Sequence, residues 1–442
     1  MATATSAPPA SIGKYRIERE LGRGASGIVF LGLDGFRGRK VAIKQTHAHL
    51  LKVPEQAERY RKLLRNEAAL SGRLRHPHIV RLLDADEEAL PPYLVLEYVD
   101  GQPLSAYATP DALLPVPQVL DIAFKCCNAL EYAYREGLVH RDIKPANLML
   151  ARDGDVKLTD FGAALSLRSD ATQLSGLVGS PSYMSPEQVR EQDLTHHSDM
   201  FSLAVVVYEL LTGRRPFDGD TDFATLYKIS NETPTRPSLL RASLPAHVDE
   251  VLLRALAKQP ADRFATWADF AQALLAAHRG LPRQKSQDTE AERFARLRAL
   301  PFFADFHDVA LWELMRLGSW RRLEQGTVLM RENTPGDSFC ILIEGQVAVS
   351  RQGWNLSTLG PGVTLGEMTY LRPDNRIRTA TAVAETEVLV LKVRNPALRE
   401  ASEDLQSRFD KAFIKLLVGR LIATNEQLAE WELVAAPGPA GG

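Results

Sequence analysis

The chain has 442 residues, of which 45% are hydrophobic and 24% are charged. This composition is typical of globular domains and excludes a wholly disordered, collagen-like or coiled-coil chain. At about 100–200 residues a domain, the length leaves room for two or three domains. The formal net charge of −2 gives no overall basic field, so we expect neither nucleic acid nor a membrane as a partner.

Neither targeting nor redox signals point outside the cytoplasm. The longest apolar stretch, Leu203 to Val207, is far shorter than the roughly 20 residues of a transmembrane helix. Residues 1–10 have no basic start and no apolar core, unlike a secretory signal. The three cysteines, Cys126, Cys127 and Cys340, form no C-x-x-C pair and are odd in number. We therefore expect free thiols and a cytoplasmic protein.

The predicted elements divide the chain into a mixed first part and a β-rich last part. The first part alternates apolar β-type runs with one charged helix, Glu55 to Leu74, and then becomes mainly helical, as in Ser202 to Thr212. Later β runs, between 327 and 393, are separated by glycines, which is typical of a small barrel or jelly roll. An apolar stripe then predicts a helix from Leu405 to Trp431. The boundaries that we expect are a flexible tail at 1–13, a mixed segment at 14–100, a helical segment at 101–278, a linker at 279–297, a barrel with C-terminal helices at 298–434 and a flexible tail at 435–442.

The first motif is G-x-G-x-x-G, formed by Gly22, Gly24 and Gly27. In dinucleotide-binding folds such glycines open a helix, but here they run into a second β-type run, Ile28 to Leu31. A glycine-rich strand–turn–strand lets backbone N–H groups approach phosphate oxygens with no Cβ in the way. The pattern therefore indicates a phosphate-binding hairpin.

A lysine, Lys44, ends the apolar run that follows, and a lysine in that position should be paired. Glu67, on the charged helix, is its natural partner. The downstream motifs are His140-Arg141-Asp142, Asn147, Asp160-Phe161-Gly162 and Ser185-Pro186-Glu187. Together these residues resemble the eukaryotic-type Ser/Thr protein kinases found in bacteria, over about residues 14–278. The resemblance implies an α+β, bilobal fold with an N-lobe at 14–100 and a C-lobe at 101–278.

The resemblance also implies an activity, cofactors and residue roles. ATP and Mg²⁺ would be the cofactors, and Ser/Thr hydroxyls of proteins the acceptors. Lys44, positioned by Glu67, would hold the α- and β-phosphates. Asp142 would accept the hydroxyl proton, and Lys144, as in Ser/Thr-type loops, would contact the γ-phosphate. The implied ligands are Asn147 and Asp160 for Mg²⁺, and Gly22, Gly24, Gly27, Val29, Ala42, Glu97 and Val99 for ATP.

Further residues would support the catalytic loop and the activation segment. The resemblance implies that Asp199 anchors the backbone of the catalytic loop and that Arg263 pairs with Glu187. Arg141, directly before Asp142, can clamp a phosphate on the activation segment through charge-assisted hydrogen bonds. The expected autophosphorylation sites are Thr172 and Ser175.

A second set of motifs, Gly366-Glu367 and Arg378-Thr379-Ala380, resembles the phosphate-binding cassette of cyclic nucleotide-binding domains. That family has an eight-stranded β jelly roll flanked by helices. Arg378 would bind the cyclic phosphate and Glu367 the ribose 2′-hydroxyl. Free N–H groups at the start of the short helix after Gly366 would attract the same anion. Arg376 is a rival for the phosphate. Thr379 leaves cyclic AMP and cyclic GMP both open, and we favour cyclic AMP.

These resemblances predict a Ser/Thr protein kinase regulated in cis by a cyclic nucleotide. Two alternatives stay open: a nucleotide-sensing scaffold whose kinase domain transfers no phosphate, and an active kinase whose barrel only docks partners. Three roles stay open for the C-terminal helix: a lid over the base, a homodimer interface, or a helix that only packs on the barrel. An amphipathic stripe alone does not distinguish these roles.

Overall fold

The structure is a computed structural model in which two compact units divide between Gln287 and Asp288. The predicted phosphorylation sites, Thr172 and Ser175, lie outside the described residues. Among the residues that are described, no helix is long and apolar enough to cross a membrane. The described residues are 8–24, 27–166, 181–279, 288–372 and 374–435.

The described part of the first unit contains eleven strands and eight α-helices, seven of which begin at or after Val116. Its strands are β1 (Ser11–Ile12), β2 (Tyr15–Arg23), β3 (Gly27–Asp34), β4 (Arg39–Thr46), β5 (Leu82–Asp86), β6 (Tyr93–Glu97), β7 (Gly101–Pro103), β8 (Leu138–Val139), β9 (Leu148–Ala151), β10 (Val156–Leu158) and β11 (Leu165–Ser166). Its helices are α1 (Pro54–Ser71), α2 (Val116–Arg135), α3 (Pro186–Val189), α4 (His196–Thr212), α5 (Asp222–Asn231), α6 (Pro237–Leu240), α7 (Ala246–Ala255) and α8 (Trp267–Arg279).

The first lobe is an antiparallel sheet in the order β1-β2-β3-β4-β6-β5, with α1 inserted between β4 and β5. Strand alternation gives each face its own residues. Val41 and Ile43 of β4 are fully buried in a core with Phe30. Ala42 and Lys44, the intervening residues, therefore lie on the opposite face of the sheet, where the kinase resemblance requires them.

The second lobe is built around α4, which is buried from Ser198 to Thr212. The sequence predicted only its apolar part, because the polar first turn hides its start. The side chain of Thr195 accepts a hydrogen bond from the N–H of His197 and caps that turn. Gly213 ends the helix with φ +71°, and a Cβ there would lie 2.6 Å from the nitrogen of Pro110, so only glycine fits.

The second unit is a β barrel with helices before and after it. Two four-stranded sheets, β12-β19-β14-β17 and β13-β18-β15-β16, pack around a core that includes Leu342, Val347, Leu365 and Val390. Its strands are β12 (Ser319–Leu323), β13 (Val328–Met330), β14 (Ser338–Glu344), β15 (Val347–Arg351), β16 (Trp354–Leu359), β17 (Thr364–Leu365), β18 (Thr381–Ala384) and β19 (Val388–Arg394). Its helices are α9 (Glu290–Arg298), α10 (Asp308–Leu317), α11 (Met368–Leu371), α12 (Asn395–Arg399) and α13 (Glu403–Ala435).

The first part of α13 packs on this barrel through aromatic side chains. Phe409 and Phe413 are fully buried and contact Phe339 of β14, with ring centroids 5.6 and 5.4 Å apart. Phe413 also contacts Tyr370 of α11 at 5.8 Å. The predicted fold class, a bilobal α+β unit followed by a jelly roll with flanking helices, is confirmed. The three cysteines are free and buried, as predicted.

Candidate functional site

The amine of Lys44 joins three elements of the first unit. Its Nζ lies 2.9 Å from Oε1 of Glu67 on α1 and 2.7 Å from Oδ1 of Asp160, which follows β10. The predicted pairing of Lys44 with Glu67 is therefore present, and Asp160 joins it. Gly162 completes this packing, because a Cβ there would lie 2.9 Å from Oε2 of Glu67.

The two carboxylates keep this lysine charged. Burial alone lowers the pKa of Lys44, but the negative charges of Glu67 and Asp160 outweigh burial and hold that pKa above its ordinary value. Burial likewise opposes ionisation of Asp160, yet Lys44 keeps the pKa of this carboxyl below its usual range. The cluster thus presents a permanent ammonium beside an ionised carboxylate.

The catalytic-loop residues form a second cluster around Asp142. Lys144 Nζ lies 2.7 Å from Oδ2 of Asp142. Asn147 donates from Nδ2 to the backbone oxygen of Asp142 at 2.8 Å and to Oδ2 at 3.1 Å. Because the amide nitrogen faces Asp142, the amide oxygen of Asn147 is turned away from it. All three residues that the sequence predicted in this loop therefore meet.

Asp199 on α4 holds the backbone of the catalytic loop in place. Its two carboxylate oxygens accept the backbone N–H groups of His140 at 2.7 Å and Arg141 at 2.8 Å. The predicted anchoring role of Asp199 is thus confirmed. Arg141 and Asp160 have φ of +69° and +66°, a conformation that costs non-glycine residues free energy and persists where the surroundings enforce it.

A buried ion pair ties the end of the activation segment to the second lobe. Arg263 binds Glu187 with two parallel hydrogen bonds, NH1 to Oε1 at 2.7 Å and NH2 to Oε2 at 2.8 Å. Ser198 also donates to Glu187, at 2.8 Å. Burial alone raises the pKa of Glu187, but Arg263 outweighs it and lowers that pKa. The predicted pairing of Arg263 with Glu187 is confirmed.

The glycines of the first hairpin serve two different needs. A Cβ at Gly27 would lie 2.3 Å from the backbone oxygen of Gln45, so this glycine is required by the approach of β4. Among the described residues, a Cβ at Gly22 would meet nothing within 4 Å, and one at Gly24 would reach only the backbone oxygen of Gly27, at 4.0 Å. Protein packing therefore does not explain these two glycines, and the open space suits close approach by phosphate oxygens.

The remaining predicted ATP residues lie along the same sheet. Val29 pairs with Lys44 and Ala42 with Leu96 across neighbouring strands, so they share the face that carries the lysine. Glu97 ends β6, where its N–H donates to the oxygen of Arg81 at 2.8 Å. Val99 lies between β6 and β7.

The donor set fits Mg²⁺ and ATP. The carboxylate of Asp160 and the amide oxygen of Asn147 are hard oxygen ligands of the kind Mg²⁺ prefers. Lys44 supplies a fixed positive charge for phosphates. No described residue stands within 4 Å of a Cβ at Gly22, so that part of the chain leaves room for a phosphate to approach the backbone.

In the second unit, Arg378 is buried between two glycines. Its NH2 donates to the oxygen of Ser338 at 2.7 Å and its NH1 to that of Gly366 at 3.1 Å. A Cβ at Gly336 would lie 2.2 Å from Nε, and one at Gly366 2.1 Å from NH1. Both glycines are therefore needed to admit the guanidinium. Arg376, its rival, is exposed.

The carboxylate of Glu367 is bound by the C-terminal helix. Arg420 of α13 lies 2.6 Å from its Oε1 and also donates to the oxygen of Thr364 at 3.2 Å. Glu367 itself is buried, whereas Thr379 is exposed. The guanidinium of Arg378 contacts the backbone oxygen of Gly366, and Glu367 is the next residue in the chain, so both groups that the resemblance assigns to one ligand adjoin Gly366. The chemistry of these two groups fits a cyclic nucleotide.

Sequence reasoning missed two residues of this second site. Gly336 is one of the glycines that separate the β runs, and no feature of the sequence links it to Arg378. Arg420 lies 53 residues after Glu367, and nothing in the sequence distinguishes it from other basic residues of the same helix, such as Lys411 and Lys415.

Comparisons with known proteins agree with this geometry. The family model described as "Protein kinase domain" matches residues 15–276, and the one described as "Cyclic nucleotide-binding domain" matches residues 320–404. The chain is 37% identical over 296 residues to serine/threonine-protein kinase PknB of Mycolicibacterium smegmatis, covering 65% of this chain and 47% of that protein. For PknB of Mycobacterium tuberculosis the identity is 36% over 288 residues, covering 63% and 45%.

A third relative, serine/threonine-protein kinase Pkn1 of Myxococcus xanthus, is 37% identical over 300 residues, covering 66% of this chain and 42% of that protein. The chain spans about half the length of the curated relatives it matches. The match to the kinase model includes more than half of the chain. The chain therefore belongs to the protein kinase family and carries a cyclic nucleotide-binding domain after its kinase domain.

Proposed function

We propose that this chain is a cytoplasmic, ATP-dependent Ser/Thr protein kinase whose rate responds to a cyclic nucleotide bound by its C-terminal domain. The observation that carries the kinase assignment is the contact of Lys44 Nζ with Glu67 and Asp160, next to the cluster around Asp142. Similarity to curated Ser/Thr kinases supports a hydroxyl acceptor. An intact set of charges argues against a scaffold that transfers no phosphate.

In this proposal each residue acts on the phosphates or on the acceptor. Asp142 orients the acceptor hydroxyl and takes its proton, and Lys144, 2.7 Å from Asp142, neutralises charge on the transferred group. Lys44 holds the α- and β-phosphates while Glu67 fixes its position. Asn147 and Asp160 would hold Mg²⁺, which supplies charge neutralisation at the phosphates. Catalysis then consists of positioning and electrostatic stabilisation.

The proposed regulation runs through Arg420. In the structure Arg420 binds Glu367, the residue proposed for the ribose hydroxyl, so a ligand at that carboxylate acts directly on α13. Contact between Tyr370 of α11 and Phe413 of α13 gives a second, apolar connection. A ligand that binds the domain more tightly when α13 is in one position than in another increases the fraction of molecules in the first conformation. Coupling of this kind is typically about 1–3 kcal/mol, or about 5–150-fold in affinity.

One experiment tests both halves of the proposal. Purified full-length protein is assayed for transfer of labelled phosphate to itself and to a generic Ser/Thr substrate, with cyclic AMP or cyclic GMP added in a titration. We expect transfer, and a rate that changes with one of the nucleotides. Transfer that no nucleotide affects would leave the kinase assignment intact and refute regulation in cis. Lack of transfer under all conditions would favour the scaffold.

We predict that Arg378→Ala weakens cyclic nucleotide binding by about 10–100-fold, because hydrogen bonds to a charged group contribute about 1.5–3 kcal/mol. Arg376→Ala serves as the matched control, since it removes an exposed arginine two residues away and should leave affinity within about threefold. Calorimetric titration of both variants measures the difference. A larger loss of affinity in Arg376→Ala than in Arg378→Ala would mean that Arg376, and not Arg378, binds the cyclic phosphate.

An exposed apolar stripe on α13 supports the proposal of a homodimer. Ile414, Val418 and Leu421 are at least half exposed and follow each other at spacings of four and three residues, which places them on one stripe of the helix. Such a stripe fits a second copy of the same helix. Because Arg420 is on this helix, a dimer would couple two nucleotide sites.

We predict that Leu421→Asp converts a dimer into a monomer, because a carboxylate in an apolar helix–helix seam is left unpaired and costs several kcal/mol. Leu239→Asp makes the same substitution at an exposed leucine of α6 and should leave the dimer intact. Light scattering after gel filtration reports the mass. A wild-type monomer at all concentrations tested would refute the dimer.

A further inference from the structure

The turn between β3 and β4 exposes a phenylalanine at the edge of the first unit. Phe36 is 95% exposed. Oδ1 of Asp34 accepts the N–H groups of Phe36 and Arg37, each at 3.1 Å, and Gly38 adopts φ +63°. The turn therefore has a defined conformation that holds the ring outward. Full hydration of so large an apolar side chain is unfavourable unless another surface covers it.

Three exposed cations lie on the same strands and turn as Phe36. Leu33 of β3 pairs with Arg16 of β2 on one side and with Lys40 of β4 on the other, so these two exposed cations share one face of the sheet. Arg37 is exposed in the turn itself. Asp34 is buried, its carboxylate holds the turn, and its other oxygen lies 4.0 Å from Nε of Arg39, a fourth cation of the same turn. We call Phe36, Arg16, Arg37 and Lys40 the basic turn.

A second exposed phenylalanine has the opposite surroundings. Phe223 on α5 is 80% exposed and directly follows Asp222, and Asp220 lies two residues before Asp222. Exposure alone is therefore not the distinguishing feature of the basic turn. Phe36 differs from Phe223 because the exposed charged residues near it in the strands and turn are cations rather than carboxylates. Phe223 therefore offers a matched control, an exposed phenylalanine without those cations.

The size of the apolar element selects the class of partner. One phenylalanine offers about 150–250 Å², whereas a specific protein interface buries about 800 Å² on each partner. The headgroup region of a bilayer accepts a lone aromatic side chain without complementary shape. Anionic headgroups attract each nearby Lys or Arg. These properties favour a lipid surface over an acidic protein.

We propose that the basic turn docks this chain on anionic membrane surfaces, with Phe36 entering the headgroup region and Arg16, Arg37 and Lys40 facing lipid phosphates. The overall charge of −2 conceals this local cluster, which is why the sequence led us to expect no membrane partner. The proposal stands apart from kinase activity and nucleotide binding, and it rests on none of their residues.

Vesicle sedimentation tests it with the purified full-length chain. We expect sedimentation with vesicles of phosphatidylcholine and phosphatidylglycerol at 70:30 in low salt, and little with phosphatidylcholine alone or in high salt. Phe36→Ser should lower the partition coefficient about tenfold. Arg37→Gln with Lys40→Gln should lower it about 25-fold, at about fivefold for each cation.

Phe223→Ser is the matched control and should sediment like the wild type. In Phe36→Trp, brominated lipids should quench more fluorescence than in the wild type, because the new ring enters the bilayer. Circular dichroism checks that each variant is folded. No binding to the anionic vesicles would overturn the proposal. Equal binding of Phe36→Ser and wild type would overturn it too, since the turn would then be a simple polyanion site of the kind an acidic protein uses.

Discussion

Asp142→Asn is expected to lower the rate of phosphate transfer by about 10²–10⁴-fold while leaving the affinity for ATP nearly unchanged. The carboxylate of Asp142 lies 2.7 Å from Lys144 and 3.1 Å from the amide of Asn147, so two donors hold this hydrogen-bond acceptor in a fixed position. Asparagine has the same size and keeps the loop packed. It cannot take the proton of the acceptor hydroxyl, however, so the loss falls on the rate of transfer.

Phosphate transfer and ATP binding are measured separately on the same preparations. Asp193→Asn makes the same chemical change at an exposed position and should keep full activity. If Asp142→Asn retains more than a tenth of the wild-type rate, Asp142 is not the residue that handles the proton. If it loses ATP binding as well, the substitution has disturbed the loop rather than the chemical step.

The sequence predicted much of this site because each kinase motif carries its own local geometry. Lys44 ends a β-type run and Glu67 lies on the charged helix, and these two features were sufficient to predict the contact of Lys44 with Glu67. That contact is present at 2.9 Å. The pairing of Arg263 with Glu187 was likewise predicted from the motifs. The contact of Lys44 with Asp160 was not predicted, because it depends on the φ of +66° at Asp160, which no residue pattern signals.

The second site was less predictable for a physical reason. Its chemistry depends on how closely two backbone segments approach Arg378, and the glycines that permit this, Gly336 and Gly366, look like ordinary turn residues in a sequence. The contact of Arg420 with Glu367 joins residues 53 positions apart. Such a contact is set by where α13 lies on the barrel, and the amphipathic stripe left open whether that helix is a lid, an interface or packing.

The second large effect is expected at the buried pair of Arg263 and Glu187. Removing one partner of such a pair leaves an unpaired charge in a dry environment, so we expect Arg263→Met to lower the free energy of unfolding by about 3–5 kcal/mol at pH 7. Arg254→Met removes an exposed arginine from α7 and should cost less than about 1 kcal/mol. Urea denaturation of the full-length proteins measures both.

The pH dependence of this loss identifies its cause. In the wild type the pKa of Glu187 is lowered, so its stabilising contribution is complete above the unfolded pKa of about 4.3 and is lost as pH falls through the folded value. Without Arg263, only the hydrogen bonds from Ser198 and the backbone oppose burial, the largest influence on this carboxyl, and we expect the folded pKa of Glu187 to rise above the unfolded one. Ionised Glu187 then destabilises the variant at neutral pH, and protonation below about pH 4 removes this penalty.

The difference in stability between wild type and Arg263→Met should therefore shrink as the pH is lowered from 7 towards 4. Adding Glu187→Gln to Arg263→Met removes the unpaired charge, so the double variant should regain part of the stability at pH 7 and lose most of the pH dependence. The opposite result would be a stability difference between wild type and Arg263→Met that stays constant with pH, together with a double variant no more stable than the single one. Arg263 would then act through packing and not through its charge. The ring of Phe201, 5.0 Å from the guanidinium carbon of Arg263, is the surface against which it packs.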